Sequence, residues 1–157
     1  MSNEKKDAWF LKTVQEKRAG MYRVALVMLS RTQDAEDAVS EAVENVYRRL
    51  DALKNKEALS AYLMRAVINT CRDMIRKRKR EFPVDDFTPY EKGKESDSPI
   101  WFYLTGMDKK YALPLVMRFS ENMTLREIAS ALGIPEGTAS TRISRGLSIL
   151  KKQMEGR

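Results

Sequence analysis

The chain has 157 residues, 29 lysines and arginines against 22 aspartates and glutamates, a net charge of +7 and a pI near 9.5, which together allow one or two small domains and point to a polyanionic partner. It has no histidine and one cysteine, Cys71. That composition excludes Ser-His-Asp and Cys-His catalytic units, an internal disulfide and a zinc site built on histidines or several cysteines, so no catalytic residue, metal or cofactor is expected.

The first ten residues, MSNEKKDAWF, are charged without an apolar signal core, and the longest apolar run, residues 24–29, is far too short to span a bilayer. A soluble, cytoplasmic protein without membrane insertion is expected. Apolar residues then recur at three- and four-residue spacing, with no alternating run that would argue for strands. Four helices are predicted: one marked by Trp9, Phe10, Thr13 and Val14, and a second by Met21, Tyr22, Ala25, Leu26 and Leu29. A third, capped by Asp34, buries Ala35, Ala38, Val39, Ala42, Val43, Val46 and Leu50, and a fourth from near Ser60 buries Leu63, Val67, Cys71, Met74 and Ile75. The stripes are expected to meet in one bundle.

Charge separates the last two of these helices. Residues 34–51 carry six acids and two bases, whereas residues 62–80 carry seven bases and one acid. Asp34, Glu36 and Asp37 fit the helix dipole at a first turn, but Glu41 and Glu44 lie too deep for that and read either as a solvated face or as partner contacts. The run Arg76, Lys77, Arg78, Lys79, Arg80 exceeds what a helix C-terminus needs, and its mutual repulsion is relieved by a phosphate backbone. A lipid surface would require a free apolar face, which this helix commits to the bundle.

Residues 81–105 hold Pro83, Pro89, Pro99 and Gly93 with six acids against two bases, and read as an acidic flexible linker between two units. Its apolar end, IWFYL at 100–104, is expected to pack under the second unit. Asp85 and Asp86 are a weak signal for a metal-dependent nuclease. A support helix over residues 111–119 follows, with Leu113, Val116, Met117 and Phe119 apolar and Pro114 tolerable only near its first turn.

The sequence TLREIASALGIPEGTASTRISRGLSILKK at 124–152 predicts a helix-turn-helix. Thr124 and Glu127 form a capping box, Leu125, Ile128, Ala129 and Leu132 share a buried face, Gly133 suits a left-handed helix end, and Pro135 suits the next helix start. In the second helix Ala139, Ile143, Leu147 and Leu150 form the apolar stripe. Thr138, Ser140, Thr141, Arg142, Ser144 and Arg145 supply a hydroxylated, positive face suited to a major groove. An ordinary helical hairpin with a solvated basic face is the alternative.

These pieces, in this order, resemble the extracytoplasmic-function type of bacterial sigma factor. The match runs through DAEDAVSEAVENVY at 34–47, YLMRAVINTCRDMIRKRKR at 62–80, the acidic linker, and EGTASTRISRG at 136–146. The resemblance implies an all-α protein of two small helical domains joined by a flexible linker: 1–81 as region 2, 82–106 as linker, and 107–157 as the region 4 helix-turn-helix. It implies that Asp37, Glu41 and Glu44 bind the beta prime clamp helices of core RNA polymerase. It also implies that the loop at 51–59 captures a flipped base, and that Arg65, Asn69, Arg72, Asp73, Arg76 and Arg78 handle the minus 10 element. Thr138, Ser140, Thr141, Arg142, Ser144 and Arg145 would read the minus 35 element, with the beta flap and an anti-sigma factor as further partners.

Several positions depart from the family pattern: Ser40 for glutamine, Glu44 for an apolar residue, Ser140 for a cation, Ala139 for a larger aliphatic residue, and Gly106-Met107-Asp108 where Leu-Pro is common. The second reading is a self-sufficient helix-turn-helix repressor or activator, which would bind a duplex site without polymerase.

Overall fold

The computed structural model describes residues 2–81 and 99–156, and all regular structure among them is helical. The first helix, α1 (Asn3–Leu29), runs unbroken for 27 residues from an N-cap at Ser2 to a left-handed Ser30. The two helices predicted here are therefore one. Gln15 to Arg18 are good helix formers, and Gly20, which invites a break, is buried in the helix because another part of the chain approaches it closely.

The second helix, α2 (Thr32–Arg48), starts two residues before Asp34. Asp34 thus sits in the first turn, where it complements the dipole, and does not cap. Ala35, Ala38, Val39 and Ala42 are buried, and Val43 and Val46 pack partly against the core. Two short 3-10 turns, Leu50–Ala52 and Lys56–Ala58, lead into α3 (Leu59–Glu81), which buries Leu59, Leu63, Met64, Val67, Ile68 and Cys71. Helices α1, α2 and α3 pack mutually as one three-helix unit.

Of the stretch expected to be linker, residues 82–98, including Asp85 and Asp86, lie outside the described residues. Its end is a helix, α4 (Pro99–Thr105), with Trp101 and Leu104 buried and contacts to the last helix of the chain, as the apolar IWFYL run requires. Helix α5 (Lys109–Leu115) starts at an Asp108 cap, two residues earlier than predicted. Pro114 lies late in α5 and donates no backbone bond; immediately afterwards the chain widens into a π-helical turn, Val116–Ser120, closed by Glu121 N–H on the Val116 carbonyl. Phe119, expected in the support core, is 58% exposed on that turn.

The helix-turn-helix is α6 (Leu125–Leu132) and α7 (Glu136–Glu155). Both arms of the capping box form, with the Thr124 hydroxyl accepting from Glu127 N–H at 3.1 Å and the Glu127 carboxylate accepting from Thr124 N–H at 2.9 Å. Gly133 ends α6 at φ 68°. Pro135 is the N-cap of α7 and not its first helical residue. Leu147, predicted in the stripe, is 42% exposed, and Gly146 takes the buried place because Leu115 and Tyr111 press against it.

The two helical units touch. Arg23 of α1 makes a two-point ion pair with Glu121, at 2.7 and 3.1 Å, beside Gly20. The Lys109 ammonium donates to the Met28 carbonyl at the end of α1. Arg72 donates to the Leu132 carbonyl at the end of α6, 3.0 Å away. The last two contacts place cations at helix C-termini, where the dipole favours them.

Candidate nucleic-acid interface

Helix α3 repeats at 3.6 residues, so Arg65, Asn69, Arg72, Asp73 and Arg76 share one face. Arg65 and Asn69 are exposed, and Arg76 pairs with Asp73 at 2.5 Å with both side chains at least 70% exposed. Arg72 is half-buried because it reaches α6. Arg78, predicted with this set, turns to the other side of the helix, two residues past Arg76. In the loop at 51–59, Asp51 pairs with Lys6 of α1 at 2.5 Å, and midway along it Asn55 accepts from Glu57 N–H at 3.1 Å. The Asp51 hydrogen bond raises the Lys6 pKa.

On α7 the buried seam of Ala139, Ile143, Gly146 and Leu150 leaves Thr141, Ser144 and Arg145 facing outward. Thr138 and Arg142 lie on the flank toward α5, half-buried, and Ser140 lies on the opposite flank. A cavity of about 360 Å³ gathers Thr138, Thr141, Arg142 and Arg145 with Gly137 and two residues of α5, Lys110 and Tyr111. Of the six residues predicted to read duplex DNA, four line one cavity, Ser144 adjoins Thr141 one turn on, and Ser140 stands apart.

The acidic face of α2 is also formed by spacing, since Asp37, Glu41 and Glu44 recur at four and three residues and are all exposed. Asp37 accepts from Gln33 at 2.9 Å, and Glu44 pairs with Arg48. Beside them opens a largely apolar groove of about 420 Å³ in which Ser40, Val43, Glu44 and Tyr47 of α2 face Phe10 and Leu11 of α1. Phe10 and Tyr47 stack with centroids 5.2 Å apart, and the Tyr47 hydroxyl donates to Asp7 at 2.9 Å, which raises its pKa. Sequence reasoning missed the α1 wall of this groove. The available signal was Leu11, a large apolar residue out of step with Phe10 and Val14, and it is 58% exposed.

Among the described residues no cluster of three or more acidic, histidine or cysteine side chains could hold a metal, and no helix is long and apolar enough to cross a membrane.

The order of these surfaces has counterparts in known proteins. The family model described as Sigma-70 region 2 matches residues 13–81, and that of Sigma-70, region 4 matches residues 104–152. The chain is 30% identical to the RNA polymerase sigma-E factor of Streptomyces avermitilis, over 94% of this chain and 86% of that protein. It is 27% identical to the RNA polymerase sigma factor SigV of Bacillus subtilis, over 90% and 88%. Its fold matches the sigma factor RpoE of Bartonella quintana, solved with the anti-sigma factor NepR, at TM-score 0.78 and 18% identity over 93% of this chain and 96% of that one. It also matches CnrH, solved with the cytosolic domain of CnrY, at TM-score 0.69 and 19% identity over 94% and 88%.

An acidic helix, a basic helix and a helix-turn-helix, split between regions 2 and 4, define a two-region transcription initiation factor. The chain belongs to the extracytoplasmic-function sigma factors of the sigma-70 family. It binds core RNA polymerase and directs promoter-specific initiation, recognising and helping to melt the minus 10 element and reading the minus 35 element. A self-sufficient repressor or activator has no use for region 2, and that reading is set aside.

Proposed function

We propose that the chain is a divided promoter reader in which residues 1–81 hold polymerase and the minus 10 element, residues 107–157 hold the minus 35 element and the beta flap, and residues 82–106 join them. Within the joining segment, α4 belongs with the second unit, because Trp101 and Leu104 are buried and the helix touches α7. Asp37, Glu41 and Glu44 meet the clamp helices of the beta prime subunit, and the groove between Phe10, Leu11 and Tyr47 adds apolar burial to an otherwise charged contact.

Arg65, Asn69, Arg72, Asp73 and Arg76 engage the opened minus 10 strand, offsetting part of the unstacking cost, and Arg78 neutralises phosphate on the other side of α3. Thr138, Thr141, Arg142, Ser144 and Arg145 read the minus 35 duplex, with Ser140 at the edge of that contact. The protein contributes binding and not catalysis, and works in the cytoplasm where polymerase acts. Anti-sigma control is proposed from a protein of the same fold, the sigma factor RpoE, which was solved with the anti-sigma factor NepR.

The observation that carries this reading is Arg72, a minus 10 residue, hydrogen-bonded to the helix-turn-helix at Leu132. Elements about 25 base pairs apart lie roughly 85 Å apart at 3.4 Å per base pair. All of α3 is only about 35 Å long at 1.5 Å per residue. The two faces cannot serve both elements while α3 touches α6, so the units part on polymerase, which then presents two weak readers at high effective concentration.

Transcription with purified core polymerase tests this. Core enzyme plus the chain should start transcripts at specific genomic promoters, and Glu41→Lys should weaken core binding roughly tenfold by reversing one charge of the acidic face. Failure to initiate at any genomic promoter overturns the reading, and unaltered core affinity removes Glu41 from the contact.

A further inference from the structure

The cavity beside the recognition helix contains more than the predicted reading residues. Its wall on the α5 side is Lys110 and Tyr111, which the sequence patterns left without a role. Lys110 is exposed, and its ammonium sits over the Tyr111 ring, 5.1 Å from the centroid, so the charge is held at the rim of the cavity. Arg142 and Arg145 bring two more cations from α7, and Thr138 and Thr141 bring hydroxyls. Among the described residues no carboxylate lines the space.

The floor of the cavity is the start of α7. Pro135 offers no side-chain cap there, so the first-turn amides of this 20-residue helix are left without a capping oxygen. Gly137 lies in that turn, and a Cβ placed on it would meet nothing within 4 Å. Open amides at the positive end of a helix, with three cations and two hydroxyls lining the adjoining cavity and Glu136 of the same turn outside that lining, are the chemistry of a phosphate seat.

The seat also has a fixed position relative to the reading face. Gly146 has no side chain, and a Cβ there would stand 3.0 Å from Leu115 Cδ1 and 3.4 Å from Tyr111 Cβ, so α7 lies directly on α5. Whatever Lys110 grips therefore sets where Thr141 and Arg145 meet the base edges.

We propose that Lys110 and Tyr111, with the open amide end of α7, seat one backbone phosphate of the duplex and so set the register of the recognition helix. This rests on the minus 35 reading above. The contact carries no sequence information itself and acts by positioning.

The test is fluorescence anisotropy of the full chain, across a salt series, on a duplex carrying its minus 35 element and on a scrambled duplex. Lys110→Ala should weaken binding to both by the same factor, roughly three- to tenfold, and lower the salt slope by about one, the signature of a single lost phosphate contact. Single methylphosphonates, which delete one phosphate charge, are then scanned along the element. One position should cost the unsubstituted chain that same factor and cost Lys110→Ala nothing. Lys110 is exposed, and an unchanged circular-dichroism melt confirms that the variant folds.

An unchanged salt slope, or additive losses at every methylphosphonate, overturns the seat. If the unsubstituted chain shows no preference between the duplexes, the minus 35 reading fails separately, while the slope and the methylphosphonate scan still decide whether Lys110 holds a phosphate.

Discussion

The two halves of the molecule are stabilised differently. Helices α1, α2 and α3 have 27, 17 and 23 residues, and Met21, Leu26, Leu63 and Ile68 from α1 and α3 are buried completely beside the alanine face of α2. In the second half, α5 and α6 have 7 and 8 residues, lengths that are marginal for an isolated helix. Those helices depend on end chemistry, the Asp108 cap, the Thr124 and Glu127 box and the left-handed Gly133, and on a close seam at Gly146. The first half is held mainly by buried volume, and the second by caps and near-contact of backbones. Removing atoms should injure the first most, and adding them should injure the second.

The largest expected effect is Leu63→Ala, which empties a site with no solvent exposure and should cost about 2–5 kcal/mol. Cys71 reports it. Burial pushes this thiol up to about 12, so at pH 8 it is protonated and inert until the helix bundle opens. Thiol labelling under native conditions should accelerate about tenfold for each 1.4 kcal/mol lost. Ile128→Ala, an equally buried site in α6, breaks the comparison if it speeds Cys71 labelling as much, because the halves would then unfold together.

Next comes Gly146→Val. A Cβ alone would lie 3.0 and 3.2 Å from Leu115, itself only 3% exposed and unable to move aside freely. Overpacking of this kind costs about 1–3 kcal/mol, more than the few tenths a helix gains on losing a glycine for valine. Denaturant titration should show a lower midpoint. A higher midpoint would mean that the α5 and α7 seam has slack, and that the second half is not governed by close approach.

The same contrast decides what could be read from the chain alone. The capping box, the left-handed Gly133 and the acidic and basic faces are local, and in each the next residue is never more than four positions on. Two helices were predicted where α1 is continuous, because what covers Gly20 between them is Glu121, 101 positions away; local rules see a helix breaker where the fold has a contact site. Leu147 was placed in the apolar stripe by period, but the seam is centred on Gly146, which a hydrophobic pattern does not register. The exposed hydroxylated and positive face of α7 was legible because its residue types and spacing announce it. Lys110, Tyr111 and Leu11 were not, since each acquires a site only when a second helix is laid beside its own.

The smallest expected change in stability belongs to Gly20→Ala, and it separates folding from docking. Inside α1 the alanine should favour the helix by about 1 kcal/mol. Its Cβ would also stand 2.0 Å from Glu121 Oε1, so the carboxylate must swing out and release Arg23. Both side chains are already partly exposed, at 21% and 12%, and can be rehydrated, so neither is stranded as a buried charge. The unfolding free energy should therefore shift by less than about 1 kcal/mol in either direction. The contact between the halves should loosen: an energy-transfer pair with one label on α1 and one on α7 should report a longer and broader distance. Unchanged transfer would show that Lys109 on Met28 and Arg72 on Leu132 hold the halves without the ion pair, and Arg72→Ala in the same background would then have to release them.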